Sequence, residues 1–220
     1  MKHFYGTFFL IGRAILRPFA RIGEVPEGHP EACVYICRHR NMEGPVRVAL
    51  NFRENFHIWA YSVFTDREEC FRQYYGYTFT ARFGWPRPVA YVVARLGSIV
   101  VPAFMRSMRA IPVYRGSAAV IKTYRKSVSA LLKGESLMIF PDVDYREDSG
   151  NEVAFYDGFL LLHKLYRQKG GNPLAFVPLY VDAKRRRILK GGAVYIEAGM
   201  ASSEMIARLI GAIEGLSRAE

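Results

Sequence analysis

Cysteine is scarce in this chain. The three residues, Cys33, Cys37 and Cys70, are odd in number, form no CxxC pair and have no histidine at metal-ligand spacing. That argues against a disulfide framework and against a zinc site, and it fits a reducing compartment. All three read as small buried hydrophobes, since free cysteine is among the most buried residue types. Long apolar runs are lacking too. The apolar stretch after Lys2 stops at Arg13, short of the roughly 20 residues that span a bilayer. No small-residue cleavage site follows it, so a secretory leader is not expected. Repeats and low-complexity tracts are absent. Acidic charge is in deficit: 20 Asp and Glu face 31 Lys and Arg, leaving +11. Such an excess calls for nucleic acid, anionic lipid or a phosphate-rich small molecule as partner.

What is present describes a folding chain. Its 220 residues are half apolar and 23% charged, which suits one domain with a substantial core. Residues 1–24 form a separate N-terminal piece. Arg13, Arg17 and Arg21 recur every fourth residue and make one basic stripe in a helix, with Phe8, Phe9, Leu10, Ile11, Ile15, Leu16 and Phe19 around it. Two readings stay open: an interfacial helix on an anionic membrane, with arginines at the phosphates, or a helix packed on the domain with its arginines in water. From Tyr74 to about Met105, aromatic residues alternate with Arg82, Arg87, Arg95 and Arg106. Pro86, Pro88, Pro102, Gly84 and Gly97 are expected to interrupt any continuous helix there. Rings beside arginines suit a headgroup layer, and also stacked bases.

Residues 25–220 alternate between strand and helix patterns. Val34–Cys37, His57–Ser62, Ala110–Val113, Ser136–Phe140 and Leu174–Val181 read as strands, and Ile188–Glu197 as a further one. Ser117 is an N-cap candidate for a helix to about Lys133, with Val120, Ile121, Tyr124, Val128, Leu131 and Leu132 as its apolar stripe; Gly134 ends it. Tyr156–Gln168 is helical, and a last helix starts near Ser202 with Met205, Ile206, Leu209, Ile210, Ile213 and Leu216 on one face. The expected fold is α/β: a single layered domain with a mixed central sheet flanked by helices, active loops at strand ends, plus the N-terminal amphipathic helix.

Three strand ends carry chemistry. The first delivers Arg38 and His39, a base with an unperturbed pKa near neutrality. The second is Ile111-Pro112-Val113-Tyr114-Arg115-Gly116, a guanidinium beside a glycine, able to hold a phosphate in a bidentate manner. The third, Phe140-Pro141-Asp142, supplies a carboxylate. Base, cation and acid make a candidate transfer site.

The order and wording of these blocks resemble the lysophosphatidate acyltransferase family of glycerolipid enzymes. That family has His-x4-Asp, Gly-x-Ile-Pro-x-x-Arg, Phe-Pro-Glu-Gly and a later Val-Pro block. Here they correspond to Cys37–Pro45, Ala110–Gly116, Phe140–Val143 and Phe176–Leu179, with Ser149-Gly150 and Phe155–Gly158 similar to the loop and helix start between the last two. The resemblance covers roughly residues 30 to 200. It implies an acyltransferase of phospholipid biosynthesis that moves a fatty acyl group from acyl-CoA or acyl-carrier protein to the hydroxyl of a lysophosphatidate-like acceptor. His39 would be the base, Arg115 with Gly116 the acceptor-phosphate site, and Asp142 with Phe140 and Pro141 the support. No metal or redox cofactor is implied. The expected setting is the cytoplasmic face of a membrane, peripheral or monotopic, with an anionic lipid surface as partner and no nucleic acid. Lys184–Arg187 would be the best feature of a nucleic-acid binder, yet it lies between two expected strands, as a basic surface turn does.

Two departures from the family stand out. Where it has the dyad aspartate, this chain has Gly44; the nearest carboxylate is Glu43, which could reach back to His39 as an i, i+4 neighbour on a helix. The alternative is a member with a broken dyad that binds lipid or acyl-CoA without catalysis. The second departure is Asp142-Val143 in place of Glu-Gly. Valine does not easily take a positive φ, so that loop is expected to differ, and Asp144 and Asp148 could compensate or simply be solvated.

Overall fold

A computed structural model describes residues 4–40, 42–143, 154–197 and 199–218. Strands β1 (Val34–Cys37), β2 (Phe56–Tyr61), β3 (Ile111–Val113), β4 (Ser136–Ile139), β5 (Phe176–Asp182) and β6 (Arg187–Lys190) form one sheet in the order β3-β2-β4-β1-β5-β6. The helices are α1 (Thr7–Leu16), α2 (Glu43–Asn51), α3 (Arg67–Arg72), α4 (Arg87–Ser107), α5 (Val120–Leu132), α6 (Leu161–Gln168) and α7 (Ser202–Arg218). The mixed α/β sheet flanked by helices is the architecture that the alternating pattern predicts.

By contact the chain divides into two compact units. One consists of the chain up to Gly12 with Ile58–Thr123; the other consists of Arg13–His57 with Tyr124–Glu220. In the second unit β1 lies between two parallel partners, with Ile36 opposite Ile139 of β4 and Pro178 of β5. All four β1 residues are buried, which is why they read as an unbroken apolar run and not as an alternation. Each end of β1 is tied down. At its start, Glu54 accepts from the Tyr35 hydroxyl and from Ser136 Oγ, the latter at 2.6 Å, while the His29 amide donates to Tyr35 at 2.6 Å.

α7 buries Met205, Leu209 and Ile213, the apolar face expected of it. β6 is shorter than the apolar run suggested. It ends at Lys190, and the continuation returns to the sheet only at an isolated bridge between Val194 and Phe176. The basic cluster is the turn of the β5–β6 hairpin. Asp182 accepts from the Arg185 amide at 3.0 Å and from Arg187 Nε at 3.3 Å. These bonds, the amide first, hold its carboxyl below the usual range. Arg186 donates to the Arg21 carbonyl.

Two helices correct the sequence reading. In α5, Ile121 and Leu132 are exposed, while Thr123 is fully buried because its hydroxyl has the Pro112 carbonyl at 2.7 Å to donate to. α4 runs unbroken for 21 residues through Gly97 and Pro102, where interruption was expected. Pro88 sits in the first turn, where no intrahelical acceptor awaits its N–H, and Pro102 costs a single bond in the last part of the helix. Pro86 and Gly84 precede it. By length and composition α4 could cross a membrane.

Arg13 is not part of a free basic stripe. Its Nε and Nη2 donate to the carbonyls of Leu50 and Phe52, at 2.9 and 2.8 Å, at the end of α2. A buried Asn51 secures the same corner, donating to Ala20 and Arg47 carbonyls and accepting from the Ile22 amide. The fork of Arg13 satisfies two carbonyls at once, and lysine cannot reproduce it. Arg13→Ala is therefore expected to cost about 1.5–3 kcal/mol, the range for hydrogen bonds to charged groups. Arg13→Lys should recover less than half of that; urea unfolding midpoints of the three proteins measure both.

Candidate active site

His39 stands two residues beyond the buried β1 ladder. Here the chain must turn out of the sheet, and every amide it exposes near the core needs an acceptor. Asp142, three residues beyond the end of β4, provides one: its Oδ2 accepts from the His39 backbone N–H at 2.7 Å. Its Oδ1 lies 3.5 Å from Arg38 Nε. Asp142 is only 6% exposed, and burial pushes its carboxyl above the ordinary value, against the pull of the His39 amide and the Arg38 charge. The third-block acid thus acts on the backbone that carries the histidine. Phe140 meets the His39 ring edge-on with centroids 5.9 Å apart, and Pro141 is buried.

The base of the loop after Asp142 is pinched shut. Asp142 and Phe155 form an isolated bridge, Val143 N donates to Ala154 O, and Tyr156 N donates to Pro141 O. Val143 does not adopt a positive φ, in keeping with the residue that replaces the family's glycine. Asp144, Asp148, Ser149 and Gly150 lie outside the described residues.

Beyond His39 the chain makes a tight turn into α2. Arg40 takes a left-handed φ of 41°, and the amides of Met42 and Glu43 both donate to its carbonyl. Arg40 Nη1 reaches Tyr180 Oη and the Val181 carbonyl, each at 3.4 Å, anchoring the turn to β5. Gly44 N donates to the His39 carbonyl at 3.2 Å. Glu43 opens α2, where the positive helix end favours a carboxylate, and its Oε1 lies 3.5 Å from Arg47 Nε.

Gly44 is the residue whose importance sequence reasoning missed. A Cβ placed there would lie 2.1 Å from the Arg38 carbonyl oxygen and 3.3 Å from the Phe140 ring. The turn is so tight that position 44 has room for no side chain at all, so a carboxylate cannot stand there on this backbone. Arg38 was seen only as a strand-end residue, and Arg40 and Tyr180 carried no signal. Close backbone approach leaves no trace in spacing except the glycine itself.

Arg115 and Gly116 belong to the other unit. Arg115 follows β3 and is exposed, with its guanidinium carbon 5.6 Å from the Tyr61 ring centroid, a cation–π contact. Gly116 has φ +64°, a conformation that L side chains rarely adopt, and open space around it. Tyr114 N donates to Thr123 Oγ1 at 3.4 Å, linking the strand end to α5. The three thiols are buried and free. Burial pushes Cys33 up to about 12 and Cys70 up to about 11, and drives Cys37 higher still with Asp142 adding to it, so none is poised as a nucleophile.

No family model and no curated protein matches this sequence. Among solved structures, the chain is similar to the 1-acyl-sn-glycerophosphate (LPA) acyltransferase PlsC from Thermotoga maritima. The TM-score is 0.54 at 11% identity, over 97% of this chain and 77% of that one. At that identity the likeness establishes a shared fold.

Asp142→Ala takes the acceptor from the His39 amide and the carboxylate from beside the half-buried Arg38, and is expected to cost about 1–3 kcal/mol. Asp142→Asn keeps an oxygen for the amide and should lie closer to wild type. Gly44→Asp, which puts a carboxylate at the crowded position, should destabilise by about 1–3 kcal/mol through overpacking. Chemical denaturation of the three variants tests this; a Gly44→Asp protein as stable as wild type would show that the turn can open.

Proposed function

We propose that this protein transfers a fatty acyl group from a thioester donor to the hydroxyl of a lysophosphatidate-like acceptor, in phospholipid synthesis. The observation that carries the proposal is the held histidine: His39 at the end of a buried central strand, its backbone fixed by Asp142 and its ring against Phe140, in a fold shared with an LPA acyltransferase. In this reading the His39 imidazole takes the proton of the acceptor hydroxyl. The oxygen attacks the thioester carbonyl carbon, a C–O bond forms, the C–S bond breaks, and the thiolate leaves with the proton that histidine held. The donor is acyl-CoA or acyl-carrier protein, and the chemistry asks for no metal or redox group. Arg115 and Gly116 serve the acceptor phosphate, a guanidinium being suited to bidentate phosphate contact. In this reading the enzyme works at the cytoplasmic face of a membrane, peripheral or monotopic.

A second reading is favoured by one observation. Position 44 has no room for a carboxylate, so unless Glu43 orients His39, the protein binds lipid or acyl-CoA without turning it over.

Acceptor-dependent thiol release from a long-chain acyl donor separates the two. His39→Ala should lose about 10²–10⁴ of the rate, the usual worth of a general base. Arg115→Ala should raise the acceptor KM by about tenfold or more while leaving kcat within a few-fold, as loss of a charge-assisted contact predicts. Glu43→Gln measures the orienting role: unchanged turnover removes Glu43 from the mechanism. If folded wild type releases no thiol with either donor and any lysolipid, the binding reading replaces the enzyme.

A further inference from the structure

Within the unit containing Ile58–Thr123, α4 is packed inside out. Its buried residues are Ala90, Ala94, Ser98 and Pro102, a row of small side chains spaced by four. Gly97 joins that row, with the Tyr74 ring 3.3 Å from where its Cβ would stand. This face meets α3 and the π-helical segment Gln73–Arg82. The large apolar residues point the other way: Val89, Val92, Leu96, Ile99 and Val100 are 45–60% exposed. With about 100° per residue, the centre of this row lies opposite the buried one. A helix on a water-soluble domain does the reverse. Small residues toward protein and large apolar residues outward is how helices pack when lipid is the solvent.

Charge names the lipid. From Cys70 to Gly134 the chain has no Asp or Glu and eleven Lys and Arg, leaving twenty basic and twenty acidic residues elsewhere. The whole +11 excess therefore sits in the segment that contains α4. Arg82 and Arg87 are exposed at the start of α4, and Arg95 and Arg106 are exposed on one flank of its apolar face, Arg106 also donating to the Thr65 carbonyl; long cationic side chains so placed reach headgroup phosphates. At the helix start, Phe79 stacks on Trp85 at 4.8 Å, and Tyr77, Phe83 and Trp85 are exposed, forming an aromatic belt of the kind found at membrane interfaces. At its other end Phe9 of α1 packs on Phe104, leaving Phe8 and Ile11 exposed. α3 keeps Arg67, Glu68 and Glu69 in solvent, so the assembly cannot pass through hydrocarbon.

We propose that the outward face of α4 is a lipid-docking surface, seated in the interface of an anionic bilayer with Val92, Leu96 and Ile99 among the acyl chains and the arginines at the phosphates. This deepens the acyl-transfer reading, and rests on it only in giving the docking a purpose. The test is sedimentation of the full chain with phosphatidylcholine vesicles, with and without phosphatidylglycerol. Wild type should bind the anionic vesicles, and Val92→Glu/Leu96→Glu should lose tenfold or more of its partitioning while keeping its circular dichroism and melting temperature. Arg95→Gln/Arg106→Gln should lose about tenfold on anionic vesicles and little on neutral ones. A glutamate variant that binds as wild type does overturns the proposal. So does wild type that ignores both vesicles and forms a dimer which the glutamates dissociate, since a second copy then covers the face. Acyl transfer to a short-chain acceptor free in solution keeps the two ideas apart. Glutamate variants that retain it but fail on vesicle-borne acceptor support both; vesicle docking with no transfer in any format leaves docking standing and removes the enzyme.

Discussion

A buried strand must end somewhere, and the site depends on how β1 ends. Paired in parallel on both edges and covered on both faces, β1 has no water to satisfy the amides that follow it. The His39 N–H is the one that matters, and a carboxylate takes it at 2.7 Å. Because Asp142 is itself buried and carries Arg38 on its other oxygen, the acid, the histidine backbone and the strand end form one unit. Everything next to His39 follows from the turn this clamp begins: the left-handed Arg40, the side-chain-free Gly44 and the immediate start of α2.

Much of this was legible in the sequence. The β1, β3, β4 and β5 runs are short, apolar and bounded by turn residues, and each is a strand within a residue or two of the predicted place. Histidine and aspartate were each read at a strand end, and parallel β1 and β4 lie side by side so that those C-terminal ends meet. What the pattern could not convey is which atoms meet. Asp142 was expected beside the histidine as a supporting acid; in the structure it accepts from the main-chain amide of His39, a pairing that no residue type encodes. Gly44 was noticed as a missing aspartate when it is a contact distance: glycine marks places where backbone meets backbone.

The α4 region misled for a different reason. Proline and glycine are helix breakers when water competes for the freed backbone groups, and their weight falls when the helix packs tightly or sits in an apolar medium. Pro88 occupies a position that needs no N–H, Gly97 lets the helix close on Tyr74, and Pro102 is buried against the unit's interior. Read as punctuation, these residues divide the segment; read as small surfaces, they are the packing face of one helix. The two readings differ only in which neighbour is assumed, and the sequence does not name the neighbour.

A histidine base needs its ring held in one orientation and its backbone held in one place, and those are separable tasks. An orienting carboxylate on the ring nitrogen performs the first and stabilises the imidazolium that forms, which is worth about 10⁴ in rate in the serine-protease triad. The Asp142 clamp performs the second: it restrains Cα and leaves χ1 and χ2 to the ring's own contacts, of which the Phe140 edge is one. A backbone clamp can reduce the entropy of reaching the reactive geometry, but a carboxylate already engaged by an amide and a guanidinium has less to offer a developing positive charge. If the protein is an enzyme, its rate should therefore sit below what a full dyad delivers, unless Glu43, at the favourable first turn of α2, exchanges its Arg47 contact for the ring when the acceptor is bound.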